Sequence, residues 1–244
     1  MVVAILAGTV GLAGYNGMIQ VKILQDKGAT VNIPSLEALL KISESISVID
    51  SAENSLLYQV VVGKRQRIYN DIIDNLDIIE KKKEIFNVLP RSNEMTTQWD
   101  RLLSALEEWK LNDTHFIKLS KIFDATLSSK NKIMMMNQVL FINSVSMSTV
   151  KGILDSLVEI NLANTKAENL TADAATNATS IILLVLIVVT VIFSILLGVF
   201  ISNIIRNPLY KTIKMLQEMS LGHLEMRLNL KTMDEIGVMA QTMD

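Results

Sequence analysis

The chain has 244 residues, half of them hydrophobic, with a formal net charge of −2 and no cysteine. The near-neutral charge offers no basic surface for nucleic acid, and the lack of cysteine excludes disulfides and cysteine-bound zinc. His115 and His223 are the only histidines, which excludes a multi-histidine metal site, and no cofactor is expected. Three prolines in the whole chain favour long helices, so we predict an all-α fold.

The N-terminal stretch is apolar and carries no charge before Lys22. It lacks the basic start of a signal peptide, so residues 1–19 are predicted to form a first transmembrane helix that has lost its N-terminal end. Four glycines recur there at every third position, a spacing that lets two helices approach closely in lipid. They are Gly8, Gly11, Gly14 and Gly17.

Residues 20–179 show helical periodicity throughout, with apolar residues in steps of three and four. Pro34 and Ser35 are expected to start the first helix, with Ser35 as its N-cap. Gly63 is expected to end that helix, and the second helix is predicted over 66–88.

A turn at Pro90 separates the second helix from the third, which Ser92 or Asn93 is expected to cap. The fourth helix is expected to begin near Ile133. Because no breaker follows before Ser180, this helix can continue into a second membrane span. The four helices therefore predict an antiparallel, membrane-anchored four-helix bundle, with its first and last helices entering the membrane at one end.

Residues 180–205 are predicted to form the second transmembrane helix. The stretch 181–201 is uncharged and would span about 31 Å as an α-helix, close to the thickness of a hydrocarbon core. Arg206, Lys211 and Lys214 follow it, so the C-terminal side should be cytoplasmic and residues 20–179 extracytoplasmic.

Two carboxylates, Glu53 and Asp113, lie on otherwise apolar helix faces. A buried carboxylate must be paired or neutralised. Each could contact a cationic ligand group or form a structural pair with Arg65, Arg67 or a lysine. The structural pair is the commoner arrangement.

The third helix carries three further candidates for ligand contact, Trp99, Trp109 and His115. The tryptophans could line a pocket or stack on a ligand, although large residues on such a face usually form core. His115 lies one step off the apolar face, and its ordinary pKa would permit pH sensing. Together with Glu53, Arg67 and Asp113, these residues make up the candidate ligand-binding set. No metal site is expected.

A second set of motifs follows the predicted span, within residues 206–244. It comprises two helical segments around a connector glycine, represented by Pro208, Leu209, Leu216, Met219, Gly222, Leu224, Asp234, Glu235, Ile236 and Gly237. These residues resemble a HAMP domain, the parallel helix–connector–helix module that lies below the membrane spans of bacterial receptors. The resemblance implies a homodimer, since each chain supplies two of four helices.

Within this resemblance, Pro208 would begin the first HAMP helix and the motif at 234–237 would mark the second, which is cut short at residue 244. Two positions depart from the family pattern. His223 stands where the family commonly has Asp, and Thr212 is polar at a core position.

Residues 20–179 resemble, more loosely, the four-helix-bundle sensor domain of bacterial methyl-accepting chemotaxis proteins. The matching positions are 52–57, Arg65, Arg67, Tyr69, Leu89, Pro90, Trp99, Trp109, His115 and Phe116. The resemblance implies a non-enzymatic chemoreceptor of the bacterial inner membrane that dimerises and contacts membrane lipid. It also implies a small-molecule ligand or binding protein outside, and a histidine kinase with its adaptor reached through a missing cytoplasmic domain.

Two other interpretations stay open from the sequence. The same sensor and HAMP arrangement could precede a membrane histidine kinase or a cyclic-dinucleotide enzyme. A membrane-anchored bundle without a ligand would have a structural role only.

Overall fold

The computed structural model of the chain describes residues 2–58, 62–223, 225, 227–228 and 235–243. Regular secondary structure within these residues is entirely helical, which confirms the all-α prediction. The α-helices are α1 (Val2–Lys27), α2 (Ile33–Tyr58), α3 (Val62–Val88), α4 (Asn93–Thr126), α5 (Ser129–Asn137), α6 (Ser144–Ser220) and α7 (Glu235–Met243). π-helical segments join α1 to α2 (Gly28–Asn32) and α5 to α6 (Gln138–Asn143).

The chain divides into two compact units. The larger unit is Gln20–Ala174, and the smaller unit is Met1–Ile19 with Ala175–Asp244. The finer division into two spans, a sensor domain and a HAMP domain stays a prediction.

The larger unit is built around one continuous core with side chains from α2 to α6. The apolar faces predicted for the first and third helices are buried, including Leu39, Ile42, Ile46, Ile49, Leu56, Trp99, Leu102, Leu106, Trp109 and Phe116. Removing each large side chain of this kind from water contributes about 1.5–3 kcal/mol. This core holds the helices of the larger unit together.

The apolar spacing of the second and fourth helices predicts that Ile73 and Ile142 face the core, but both are exposed. Ile73 is 58% exposed because the adjacent Ile72, fully buried, occupies the inward face of α3. Ile142 is 47% exposed because it lies in a π-helical segment, where the α-helical spacing no longer applies.

The predicted helix start at Pro34 and Ser35 is wrong, because the helix passes through this point. The Ile33 N–H donates to the Gly28 carbonyl five residues back, which makes this a π turn. A proline lacks its own N–H and crowds the carbonyl four residues before it, and the wider turn accommodates both effects. Ser35 is consequently inside α2 and buried, not an N-cap.

Other predicted boundaries hold in part. Gly63 lies inside α3, which begins at Val62, so it does not end the first helix. Ser92 caps α4 as predicted, since its Oγ accepts from the Met95 N–H at 3.3 Å. The fourth helix begins at Ser129 instead of near Ile133, and a π-helical segment interrupts its α-helical spacing.

The segments α5, Gln138–Asn143 and α6 follow one another as a single helical stretch, Ser129–Ser220. Among the described residues this is the one stretch that is long and apolar enough to cross a membrane. Its most apolar window is not buried against protein. Ile181, Leu184 and Phe200 are each more than 60% exposed. This agrees with the predicted span at 180–205 by length and composition. The span at 1–19 stays a prediction.

Within the smaller unit, α1 and α6 approach closely at two of the predicted glycines. A Cβ atom added at Gly17 would overlap Thr179, and one at Gly14 would lie 3.8 Å from Leu183. A Cβ atom at Gly8 or Gly11 would meet no atom of the described residues within 4 Å.

The C-terminal end of α6 departs from one expectation and agrees with another. Pro208 lies within the 77-residue helix α6 and does not begin a helix. A proline inside an α-helix lowers the stability of that helix by about 3 kcal/mol. Gly222 ends α6 with a φ of 88°. The His223 N–H donates to Glu218 and the Gly222 N–H to Met219, which is the Schellman pattern that favours glycine.

Leu127, the residue that follows α4, has a backbone conformation that predicts an effect on stability. Leu127 has a φ of 50°, which is unfavourable for a side chain with a Cβ atom, and it is 64% exposed. Leu127→Gly should therefore raise the free energy of unfolding by about 1 kcal/mol. Urea denaturation of the full chain, followed by tryptophan fluorescence, measures this. Leu111→Gly, at a position 72% exposed inside α4, should destabilise instead. Equal destabilisation by both would contradict the strain at Leu127.

Candidate functional site

A cluster of four polar side chains lies inside the apolar core of the larger unit. Glu53 comes from α2, Asp113 from α4, and Gln138 and Asn143 from the π-helical segment. None is more than 6% exposed. Asn143 Nδ2 donates to Glu53 Oε1 at 2.5 Å, and Gln138 Nε2 donates to Asn143 Oδ1 at 2.9 Å. The amides thus form a chain that ends on the Glu53 carboxyl group.

The π-helical segment explains why both amides reach the core. Gln138 and Asn143 are five residues apart, so in an α-helix they would point about 140° away from each other. In a π turn the bonded residues are themselves five apart, which brings the two side chains towards one face. Neither amide could be predicted from an α-helical spacing, which places Ile142 in the core instead.

Glu53 and Asp113 form a pair of carboxyl groups. Burial raises the pKa of Glu53, and the neighbouring Asp113 charge raises it further, while the Asn143 hydrogen bond opposes the change. Burial also raises the pKa of Asp113, and a hydrogen bond from Glu53 lowers it. No other donor among the described residues reaches either Asp113 oxygen. The consistent arrangement has a protonated Glu53 donating to an Asp113 carboxylate.

This arrangement replaces the expected salt bridges. The pairing of Glu53 with Arg65 is wrong, because Arg65 forms an ion pair with Asp124. Arg65, only 1% exposed, also donates to Ser120 Oγ at 2.6 Å. Tyr69 completes this second cluster through a 2.7 Å hydrogen bond to Asp124 Oδ2. Arg65 is therefore satisfied without Glu53 or Asp113.

The other residues of the candidate ligand-binding set are spread between core and solvent. Trp99 and Trp109 are core residues, 1% and 2% exposed. Trp99 Nε1 donates to Asn87 Oδ1 at 2.7 Å, which satisfies its polar atom inside the core. Arg67 and His115 are exposed on α3 and α4. The structure thus brings Glu53 and Asp113 together and leaves Arg67 and His115 in solvent.

The candidate HAMP residues have two environments. Leu209, Leu216 and Met219 are between 38% and 49% exposed. Thr212 and Met215, which lie on the same side of α6 as Met219, are at most 5% exposed.

Met215 packs with Leu228 and Ala240 in a small second core. At the start of α7, Glu235 is exposed, Ile236 is partly exposed and Gly237 is buried. Leu224 and Asp234 lie outside the described residues.

The carboxyl pair predicts an unusual dependence of stability on pH. Above the ordinary glutamate pKa of 4.5, the folded chain holds a proton at this site that the unfolded chain releases. The contribution of the pair to the free energy of unfolding is therefore full at low pH and falls as pH rises. Glu53→Gln keeps the side-chain shape, and its amide can donate to Asp113. Relative to the wild type, the variant should gain about 1 kcal/mol or more between about pH 5 and pH 8.

Urea denaturation of the full chain at a series of pH values measures this difference. Glu44→Gln, on an exposed part of the same helix, is the matched control and should track the wild type at every pH. If Glu53→Gln also tracked the wild type, the two carboxyl groups would not share a proton.

Comparisons with known proteins give one similarity. No family model and no solved structure matches the chain. A curated protein of Acetivibrio thermocellus, named as a sensory transducer, is 24% identical over 180 residues. The aligned region covers 68% of this chain and 32% of that protein, so the chain matches about a third of its relative's length.

Proposed function

We propose that the chain is the sensing and transmembrane part of a bacterial chemoreceptor. The observation that carries this proposal is the 180-residue similarity to a sensory transducer. The helical fold and the apolar part of α6 are compatible with it. In this proposal the chain is a receptor and not an enzyme.

The proposed placement has two spans in the inner membrane, at 1–19 and 180–205. Residues 20–179 form an antiparallel four-helix bundle outside the cytoplasm, and residues 206–244 form a HAMP domain inside. The basic residues after the apolar stretch of α6 support this orientation. The close approach of α1 and α6 at Gly17 supports two neighbouring spans.

Transmission would use α6, which runs from Ser144 to Ser220 as one helix. Its N-terminal end joins the π-helical segment that supplies Asn143 to Glu53. A stimulus, either a small molecule or a binding protein, would change packing around this end. The resulting shift of α6 would select between two packing states of the HAMP helices.

The proposed homodimer would cover the exposed apolar stripe of α6. Leu209, Leu216 and Met219 follow a heptad-like spacing and are partly exposed in the single chain. The output would be control of a histidine kinase through an adaptor, by a cytoplasmic domain joined after the HAMP helices.

A break in α6 tests the proposed function. The chain would be joined in frame to a chemoreceptor cytoplasmic domain, and kinase activity recorded against a panel of amino acids, organic acids and pH values. At least one condition should change kinase activity. Ala175→Pro should abolish that response, because proline breaks a helix at a cost of about 3 kcal/mol.

Ala175→Leu is the matched control and should respond as the wild type does, since leucine favours helix. Membrane insertion of both variants is checked by fractionation. No response under any condition would count against a receptor. A response that persists in a well-inserted proline variant would reject α6 as the transmitting element.

Cysteine cross-linking tests the proposed dimer, and the chain has no native cysteine to interfere. Leu216→Cys should form a disulfide-linked dimer in membranes, because a parallel pair of helices brings equivalent stripe residues together. Lys214→Cys lies on the opposite side of the helix and should cross-link at least tenfold more slowly. Equal rates at the two positions would contradict the parallel HAMP pairing.

A further inference from the structure

The larger unit contains a polar cleft that lies apart from the Glu53–Asp113 cluster. It has a volume of about 330 Å³. Its lining combines the end of α1, the start of α2, the turn between α3 and α4, and the first third of α6. The polar and charged residues that define it are Lys27, Ser35, Arg91, Asn161, Asn164 and Glu168.

Two polar side chains in this lining are buried and have no protein partner. Ser35 is 1% exposed and Asn161 is 5% exposed. Among the described residues no hydrogen bond is made by the Ser35 hydroxyl or the Asn161 side-chain amide, and only the Asn161 backbone carbonyl accepts, from Thr165. Buried polar side chains nearly always have such a partner, as Asn143 does in the core. Their free donors and acceptors therefore mark the cleft as a place for a polar molecule.

The charges around the cleft favour an anion. Lys27 and Glu168 neutralise each other across 2.5 Å, and Asn32 also donates to Glu168. Arg91 has no carboxylate within 4 Å among the described residues, so these three charges sum to +1. Its Nη1 donates to the Phe86 carbonyl, and its guanidinium lies 5.3 Å from the centre of the Phe86 ring.

We propose that this cleft binds a small organic anion, a carboxylate that also carries a hydroxyl or amide group. Arg91 attracts the carboxylate, since a guanidinium offers donors in a planar fork that suits it. Asn161 and Ser35 satisfy the additional polar group. Binding of this anion depends on the cleft alone and holds whether or not the chain is a chemoreceptor.

The neighbouring aromatic pair supplies a readout. The Phe86 ring stands between Arg91 and Trp99, with the Phe86 and Trp99 ring centres 4.2 Å apart. An anion on Arg91 changes the electrostatic environment of this stack. Trp109→Phe removes the other tryptophan, so the remaining fluorescence reports on Trp99.

The experiment uses the full chain in nanodiscs of phosphatidylcholine, titrated with L-malate as the probe. Saturable binding by calorimetry, with a matching change in Trp99 fluorescence, is expected. Arg91→Gln and Asn161→Leu should each weaken malate binding at least tenfold. Arg101→Gln, which removes an exposed arginine elsewhere on α4, should leave it unchanged. Asn161→Leu is decisive by itself if Arg91→Gln unfolds, because leucine is similar in size and favours helix.

Two further arms distinguish sources of the anion. Inorganic phosphate should compete weakly, since it fills less of the cleft. Phosphatidylglycerol in the nanodisc should not displace malate. Absence of saturable malate binding, or equal binding by Asn161→Leu, would overturn the proposal. Phosphate binding without malate binding would overturn the carboxylate assignment, and displacement by phosphatidylglycerol would assign the cleft to a lipid headgroup.

Discussion

The larger unit depends on how its apolar core accommodates two buried carboxyl groups. A charged carboxylate in such a core is costly unless it is paired or protonated. The raised pKa values of Glu53 and Asp113 favour one proton held between the two groups, and the Asn143 amide donates to Glu53. The π-helical segment, the register of α6 and the position of Gln138 are all consistent with that single requirement.

The other buried charge is satisfied in a different way. Arg65 is held by Asp124, by Ser120 and by the Leu56 carbonyl, so a full ion pair with hydrogen bonds occupies the core. A well-bonded pair of this kind resists change, since removing either partner leaves an unpaired charge and costs about 3–5 kcal/mol. The raised pKa values of the carboxyl pair instead predict a stability that falls as pH rises.

Much of this arrangement could be predicted from the sequence, and two of the failures occur at π-helical segments. Glu53 and Asp113 stood out because carboxylates interrupted otherwise regular apolar faces. Ile142 was misplaced because its prediction assumed uniform α-helical spacing, and Pro34 was misplaced because a proline usually marks the start of a helix. A π-helical segment lies at each position. Residue types alone do not indicate a π turn, because the extra residue of the turn is accommodated by tertiary packing. The Asn161 cleft was likewise invisible, because it joins four separated parts of the chain.

The energetics argue that the carboxyl pair is kept for a reason other than stability. Replacing buried charged groups by apolar residues of similar volume is often neutral or stabilising by about 1–4 kcal/mol. A core of leucine and isoleucine at 53 and 113 would therefore hold the helices at least as well. Such a core would not need a hydrogen-bond donor from the segment before α6. Asn143 donates to the Glu53 carboxyl group from the π-helical segment, so the buried pair is in direct contact with the segment that leads into α6.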